Sequence, residues 1–364
     1  MDSQGVFCPN LDCPARGQRD QGTIRVHSQK DQRYRCTVCH TTFAATKGTP
    51  FYRLHAQREV FVSVLTLLAF GCPPAAIVAA FGLDERTIRA WQASVGSHSE
   101  QVHQQLVLQP HELGQVQADE LRVKKQGGIV WLAMALAIPT RLWLGGVVSA
   151  HRDGKLAVAI VALVYRCAAM GPLLWCVDGW KPYVPAICRA FRTPMRMGGR
   201  GRPMLQRWPG LSLAQVVKQH ARRHLIGVLR RVVVGTDEQV HQMLVQTQGG
   251  GVINTAWIER LNGTFRSRIA PLVRRGRALA RQEATLHQTT YLTGTVYNFC
   301  TPHGTLSQRS RRPCTPAMAA GLTDHCWTMG ELLAFPVAPP RWAPPKRRGR
   351  RSLEIQKLVA RWCA

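Results

Sequence analysis

Between residues 114 and 178 the chain sets apolar runs and turn residues in an order that restricts its topology sharply. GQVQADELRV, GIVWLAMALAI and RLWLGGVVSA are runs of strand character broken by turn residues. KLAVAIVALVYRCAA, 155 to 169, has the apolar spacing of a helix, and PLLWCVD reads as a further buried strand that ends at Asp178. Three strands, a helix, a fourth strand and then more helices describe an α/β domain. The longest apolar stretch, 129 to 148, is interrupted by Pro139, Thr140 and Arg141. It falls short of the roughly 20 uninterrupted residues of a membrane span and is expected to form two buried strands joined by a Pro-Thr turn.

The order of elements is of the ribonuclease-H-like kind, in which carboxylates at the middle of the first strand and the end of the fourth lie side by side. Asp119 and Asp178 hold those two places. The surrounding sequence is basic: 48 Lys and Arg against 20 Asp and Glu give a formal net charge of +28, which self-repels unless a polyanion is met. Nucleic acid is the expected partner. Between Gly179 and Thr236 there are twelve Lys and Arg and no acid, a composition suited to tracking phosphates. An acid beside DNA costs energy unless a cation bridges the two, and Mg²⁺, or Mn²⁺ in its place, takes carboxylate oxygens together with water and substrate phosphate. Two such ions can activate an attacking oxygen and stabilise a leaving one.

A site of that type needs about three carboxylates, and a helix can supply the third. VINTAWIERLNGTFRSRI, 252 to 269, contains Glu259 at the edge of a run that carries seven arginines and no acid from Arg260 to Arg281. Asn254 or Thr255 can cap a helix here, and Ile258, Leu261, Phe265 and Ile269 repeat at helical spacing. Glu259, Asn262 and Arg266 then share the face beside that stripe, with Glu259 directed to the sheet edge and Arg266 to the DNA backbone. An ordinary surface acid is the competing reading of Glu259. Asp153, Asp237 and Glu238 are other acids of the same domain, with turn or capping roles open to them, and Glu120 should point to the face opposite Asp119 in a regular strand.

Four of the twelve cysteines fall in tight pairs, Cys8 and Cys13 in CPNLDC and Cys36 and Cys39 in RYRCTVCHTTF. Thiolates so spaced on two turns can complete a tetrahedral Zn²⁺ site that compensates for a small core; His40 is an alternative ligand. The remaining cysteines stand singly and read as core. Residues 58 to 70, 73 to 82 and 84 to 96 read as three short helices, the first two stopped by Gly71 and Gly82 and the third capped by Asp84. That is the pattern of a helix-turn-helix, in which Arg86, Thr87, Arg89 and Gln92 face DNA; a plain helical bundle fits the same residues. The expected domains are a zinc ribbon over 1–50, the helix-turn-helix over 51–105, the catalytic α/β domain over 112–305 and a basic, proline-rich extension over 306–364.

In that extension PPKRRGRR resembles an AT-hook, so Lys346, Arg347, Arg348, Arg350 and Arg351 are candidate DNA contacts, in the minor groove or on phosphates. A solvated tail is the third option, and LEIQKLVARWCA can form a short amphipathic helix. MDSQGVFCPN has neither the basic start nor the apolar block of a signal peptide, which predicts a cytoplasmic protein with reduced cysteines.

Taken together, CPNLDC, QADEL, CVDGWKPY, NTAWIERLNGTFR, YNFCTPH and RPCTPAMAAGLTDHCW, 312 to 327, resemble the DDE transposases of bacterial insertion sequences, closest to the insertion sequence one type. The resemblance spans almost the whole chain. It implies a metal-binding triad of Asp119, Asp178 and Glu259, with Arg266 as the basic residue seven positions beyond the glutamate. It also implies an RNase H-like domain using two Mg²⁺ ions, hydrolysis at the element's ends, and strand transfer without a covalent protein–DNA intermediate. The implied partners are the terminal inverted repeats and target DNA, bound by a homodimer or larger assembly beside the bacterial nucleoid. Tyr297 and Phe299 of YNFCTPH read as core aromatics at a helix end that Pro302 stops.

Overall fold

The structure, a computed structural model, describes residues 2–363 except 196–201, 223, 249, 345, 347 and 348, together with the side chain of His220. Arg347 and Arg348 therefore lie outside the described residues. The chain divides into two compact units, Met1–Glu59 with Leu333–Ala364, and Val60–Leu332.

The first unit is built on a small antiparallel sheet, β1 (Ile24–Ser28), β2 (Arg33–Cys36) and β3 (Thr42–Ala44), in that order. Its core holds Cys8, Cys13, Ile24, Tyr34, Cys36 and Phe43, and it is completed by Trp362 from the last helix, α12 (Leu353–Trp362). The tail is thus no free arm. Arg16 Nε donates to the Pro340 carbonyl at 2.9 Å, Arg19 to Pro336 at 3.0 Å, and Gln18 to Trp362 at 3.0 Å. A module this small buries too little of its own apolar surface, and Trp342, Leu358 and Trp362 supply the cover. The extension expected over 306–364 is divided, its first part belonging to the second unit.

The second unit begins within α1 (Arg58–Ala69), at Val60, and continues through α2 (Pro74–Phe81) and α3 (Glu85–Leu106). Gly82, at φ +64°, closes α2, and the Asp84 carboxylate accepts from Arg86 N at 2.8 Å to start α3. α3 runs 22 residues, well past the expected end, because Val95, Ser99, Val102 and His103 continue a buried face. The segments expected as separate helix-turn-helix and catalytic domains thus share one compact unit.

A six-stranded mixed sheet follows, in the order β11-β10-β7-β4-β5-β6. β4 (Gly114–Lys125), β5 (Gly128–Ala137) and β6 (Trp143–Ser149) form an antiparallel meander; the Pro-Thr turn falls between β5 and β6 as expected. α4 (Gly154–Cys167) crosses over to β7 (Leu173–Asp178), which lies parallel to β4. After α5 (Tyr183–Ala190) and the pair β8 (Arg192–Met195) and β9 (Met204–Arg207), β10 (Leu211–Ala221) joins β7 in parallel and β11 (His224–Val234) returns antiparallel. α4 and α5 cover one face, packing on Val116, Ala118, Trp175 and Val177. α6 (Asp237–Gln248) and α7 (Ala256–Arg268) cover the other, on Leu174 and Cys176 and on Leu121, Leu132 and Met134 respectively. β7, buried on both faces, is apolar throughout until Asp178.

A 3-10 turn (Ala270–Leu272), α8 (Glu283–Phe299), α9 (Gly304–Ser310), α10 (Pro316–Ala319) and α11 (Met329–Ala334) complete the chain's helices before the tail. α8 packs closely on β6: a Cβ at Gly294 would lie 2.2 Å from the Trp143 ring, so only glycine fits. The fully buried Asn298 accepts from Trp143 N at 2.9 Å and donates to Trp143 O at 2.8 Å. Tyr297 and Phe299 are core residues, which gives YNFCTPH a structural role. Among the described residues no helix is long and apolar enough to cross a membrane.

Candidate metal centres and a basic cleft

Cys8, Cys13, Cys36 and Cys39 converge, with all four sulfurs within 4.8 Å of one another. Cys8 and Cys39 are 3.6 Å apart and Cys13 and Cys36 are 3.9 Å apart. Burial raises the Cys8 thiol far above its usual range and pushes Cys13 up to about 12. Desolvation acts on Cys39 in the same direction, but hydrogen bonds from Thr41 and Asn10 outweigh it and bring that thiol to about 6. Four sulfurs facing one point are positioned to bind a metal ion. His40 stands outside the group.

The second centre is set by register. Ala118 of β4 pairs with Val177 of β7, so Asp119 and Asp178 are the next residues along two parallel neighbours. Alternation then sends Gln115, Gln117 and Asp119 to the α7 face and Glu120 to the α5 face. There Glu120 accepts a hydrogen bond from the buried Tyr183 hydroxyl and pairs with Arg152 at 2.9 Å. Where β7 ends, beside the middle of β4, the two faces meet: carboxylate oxygens of Asp119, Glu120 and Asp178 lie within 4.8 Å of one another, a group that could hold a second metal ion. Arg152 reaches Asp178 as well, at 3.6 Å. Burial first, then the charge of Asp178, raises Asp119 to about 6. Burial likewise raises Glu120 to about 7 against the hydrogen bonds from Tyr183 and Arg152. Such crowding of acids favours protons or a cation.

α7 is fixed to this edge by two clamps from β4. Gln117 Oε1 accepts from Trp257 N at 3.1 Å and Ile258 N at 3.0 Å, while its amide donates to Asn254 O at 2.8 Å. The cap expected from Thr255 or Asn254 is thus shared: Asn254 Oδ1 takes Ala256 N at 3.1 Å, and the strand glutamine takes the next two amides. Farther along, Asn262 donates to Asp119 Oδ2 at 2.7 Å. The expected stripe of Ile258, Leu261, Phe265 and Ile269 is buried.

Asp119, Asp178, Glu259 and Arg266 all line one cleft of about 1460 Å³. Glu259 is outside the close carboxylate group, however, and pairs instead with Lys218 of β10 at 2.9 Å. Desolvation and the charge of Arg274 lower the Arg266 guanidinium, with Asp119 opposing. Arg152, Lys181, Lys218 and Arg274 add basic walls. Strand alternation alone sets Glu120 apart from Asp119. The signal for it was Tyr183, a tyrosine buried in DGWKPY whose hydroxyl needs an acceptor.

The other candidates are more dispersed. Arg86 and Arg89 are exposed on α3, Arg89 pairing with Glu85, and Thr87 is half-buried. Gln92, expected to face DNA, donates to Thr289 of α8 at 3.1 Å, because α8 covers that side of α3. Lys346, Arg350 and Arg351 are exposed. Asp153 caps α4, accepting from Lys155 N and Leu156 N, and Asp237 and Glu238 open α6. No protein-family model matches the chain, and no curated protein matches it either.

Proposed function

We propose that the chain is a metal-dependent DNA transposase of the DDE type, cutting at the ends of a mobile element and joining them to target DNA. The observation that carries this reading is the convergence of Asp119 and Asp178 in the lining of a cleft with basic walls, with the buried Glu120 carboxylate close behind them. At about 1460 Å³ that cleft exceeds the ~300–1,000 Å³ of small-molecule pockets and suits a polymer. The ribonuclease-H-like assignment is supported by the adjacency of the first and fourth strands of the sheet, each bringing one acid to the same edge.

The donor set fits Mg²⁺ or Mn²⁺: hard carboxylate oxygens, those of Asp119, Asp178 and Glu259 open to the cleft and that of Glu120 buried, with room for water and phosphate. Asp119, Asp178 and either Glu120 or Glu259 would hold the ions, which when bound supply an activated attacking oxygen and a stabilised leaving oxygen. Asn262 fixes the Asp119 carboxylate, Arg152 and Lys218 offset acid charge before DNA arrives, and Arg266 and Arg274 meet the strand's phosphates. The four thiols suit Zn²⁺, since about 2.3 Å metal–sulfur bonds in a tetrahedron put sulfurs about 3.8 Å apart, close to the 3.6 and 3.9 Å seen.

The Lys218–Glu259 pair favours a second reading, a DNA-binding regulator of the same fold that does not cut. A strand-transfer assay with Mg²⁺ on duplexes carrying the element's terminal repeats separates the two. Wild type should cut and join, Asp178→Asn and Glu259→Gln should bind without cutting, and equal behaviour of wild type and Asp178→Asn refutes the catalytic reading.

A further inference from the structure

Away from the carboxylates, a second cluster of cations surrounds Trp257 at the start of α7. Arg141, in the turn between β5 and β6, is 1% exposed and holds φ +58°. Its guanidinium carbon lies over the Trp257 ring, 3.5 Å from the centroid, and that of Arg260 lies over the same indole at 4.9 Å. One Arg141 nitrogen donates to Ile138 O, but Nε and the second terminal nitrogen are buried without a partner, and so is Nδ1 of His303. Tyr297 donates to the Arg141 carbonyl at 3.1 Å and fixes the turn. Arg309 of α9 adds a further charge: burial first, then Arg309 and Arg260, lower the Arg141 guanidinium to about 10. Burial and the charges of Arg141 and Arg260 lower His303 in the same way.

Among the described residues none of Arg141, Arg260 and Arg309 forms an ion pair with an acid. A buried guanidinium with unsatisfied donors is costly unless an anion compensates it, and stacking on an indole offsets only part of that cost. Arg260 and Arg309 are exposed and His303 is half-buried, so the cluster reaches the surface.

We propose that Arg141, Arg260, Arg309 and His303 form an anchor for one phosphate group of a nucleic-acid backbone, outside the carboxylate cleft. The phosphate rests on the two exposed guanidinium groups. Arg141 acts from beneath as a fixed charge in a medium where water screens it little. Nucleic acid is the source favoured by the net charge of +28 and by Arg260 standing beside Glu259 on α7. The anchor deepens the DNA reading and rests on DNA binding, but not on catalysis.

The test is duplex binding by the full chain, followed by fluorescence anisotropy across a KCl series in EDTA, where no cutting occurs. Loss of one phosphate contact reduces the slope of log K against log[salt] by about 0.9, and at 0.15 M salt weakens binding about fivefold. Arg260→Gln/Arg309→Gln should show that change. Arg166→Gln/Arg189→Gln, which removes the same charge from exposed positions on the α4 and α5 face, should not. An unchanged slope in the Arg260/Arg309 variant, or an equal change in both variants, overturns the anchor. Inorganic phosphate is the second arm, read by the difference in tryptophan fluorescence between wild type and Trp257→Phe. Saturation by phosphate with no change in duplex slope overturns the nucleic-acid source. A chain that fails to cut DNA yet loses slope in the Arg260/Arg309 variant refutes the transposase reading and keeps the anchor.

Discussion

Gln117→Leu tests how α7 is held against the strand that carries Asp119. The side chain is fully buried, and leucine fills nearly the same volume, so the substitution removes hydrogen bonds without opening a large cavity. Two amides at the helix start, Trp257 N and Ile258 N, lose their acceptor, and Asn254 O loses a donor. Loss of a cap costs about 1 kcal/mol, and each buried donor left unpaired about 1–3 kcal/mol. With part of the Asn254 cap retained, the sum is about 3 kcal/mol, a large share of the ~5–15 kcal/mol of a typical domain. Urea unfolding of Gln117→Leu against wild type measures it. Because Glu259 stands in the first turn of α7, fraying of that turn should also lower Mg²⁺-dependent cutting by about 10–100-fold, the range for a residue that orients a metal ligand. Duplex affinity should stay within about twofold, as no phosphate contact is lost. A stability change under about 0.5 kcal/mol, within the range of an ordinary surface substitution, would show that Gln117 does not hold the helix.

The raised values of Asp119, about 6, and Glu120, about 7, mean that the folded chain binds protons there more tightly than the unfolded one. In EDTA these groups therefore take stability away as pH rises from about 4 to 7, by about 3 kcal/mol for either group. The unfolding free energy of wild type minus that of Glu120→Gln should fall across that window, and millimolar Mg²⁺ should reverse the trend; a flat difference refutes the coupling. Zinc added to the wild-type chain should bind at the four thiols with one ion per chain, the proposed stoichiometry, and Cys36→Ser should abolish that binding. Protease should then cut within 2–59 and 333–363 while 60–332 resists, because structural zinc supplies about 10–16 kcal/mol to modules of this kind. Gly294→Ala drives a methyl group into the Trp143 ring and should destabilise the second unit by about 1–3 kcal/mol in thermal unfolding.

The parts of the fold legible in the sequence are those governed by local pattern. The Pro-Thr turn, the Gly82 stop, the Asp84 cap and the apolar stripe from Ile258 to Ile269 depend on backbone preference and periodicity, and each stands where the spacing put it. The misjudged parts depend on partners far along the chain. Gln92 looks like a free polar residue until α8, some 200 positions later, covers it. LEIQKLVARW forms the amphipathic helix its spacing suggests, but nothing in it shows that Trp362 joins the core around Cys8 and Cys36. A polar helix face and a proline-rich linker carry no sign of what will lie on them.

The carboxylates show the same limit at closer range. Period-two alternation places Asp119 and Glu120 on opposite faces, and in mid-sheet that would keep them apart. At the end of β7 the sheet no longer separates the faces, because Asp178 is the last residue of its strand and its side chain can be approached from either side. Tyr183 and Arg152 then hold Glu120 at that edge from the α5 side, as Asn262 holds Asp119 from the α7 side. Glu259 is tied by Lys218, whose ammonium is half exposed on β10 in the same cleft. A phosphate entering the cleft competes with Glu259 for that ammonium, and a metal ion at Asp119 and Asp178 competes with Lys218 for the carboxylate. Both exchanges favour the same rearrangement, so DNA and metal should each strengthen the other's binding, and replacing Lys218 with methionine should weaken that coupling while leaving the Asp119, Glu120 and Asp178 group intact.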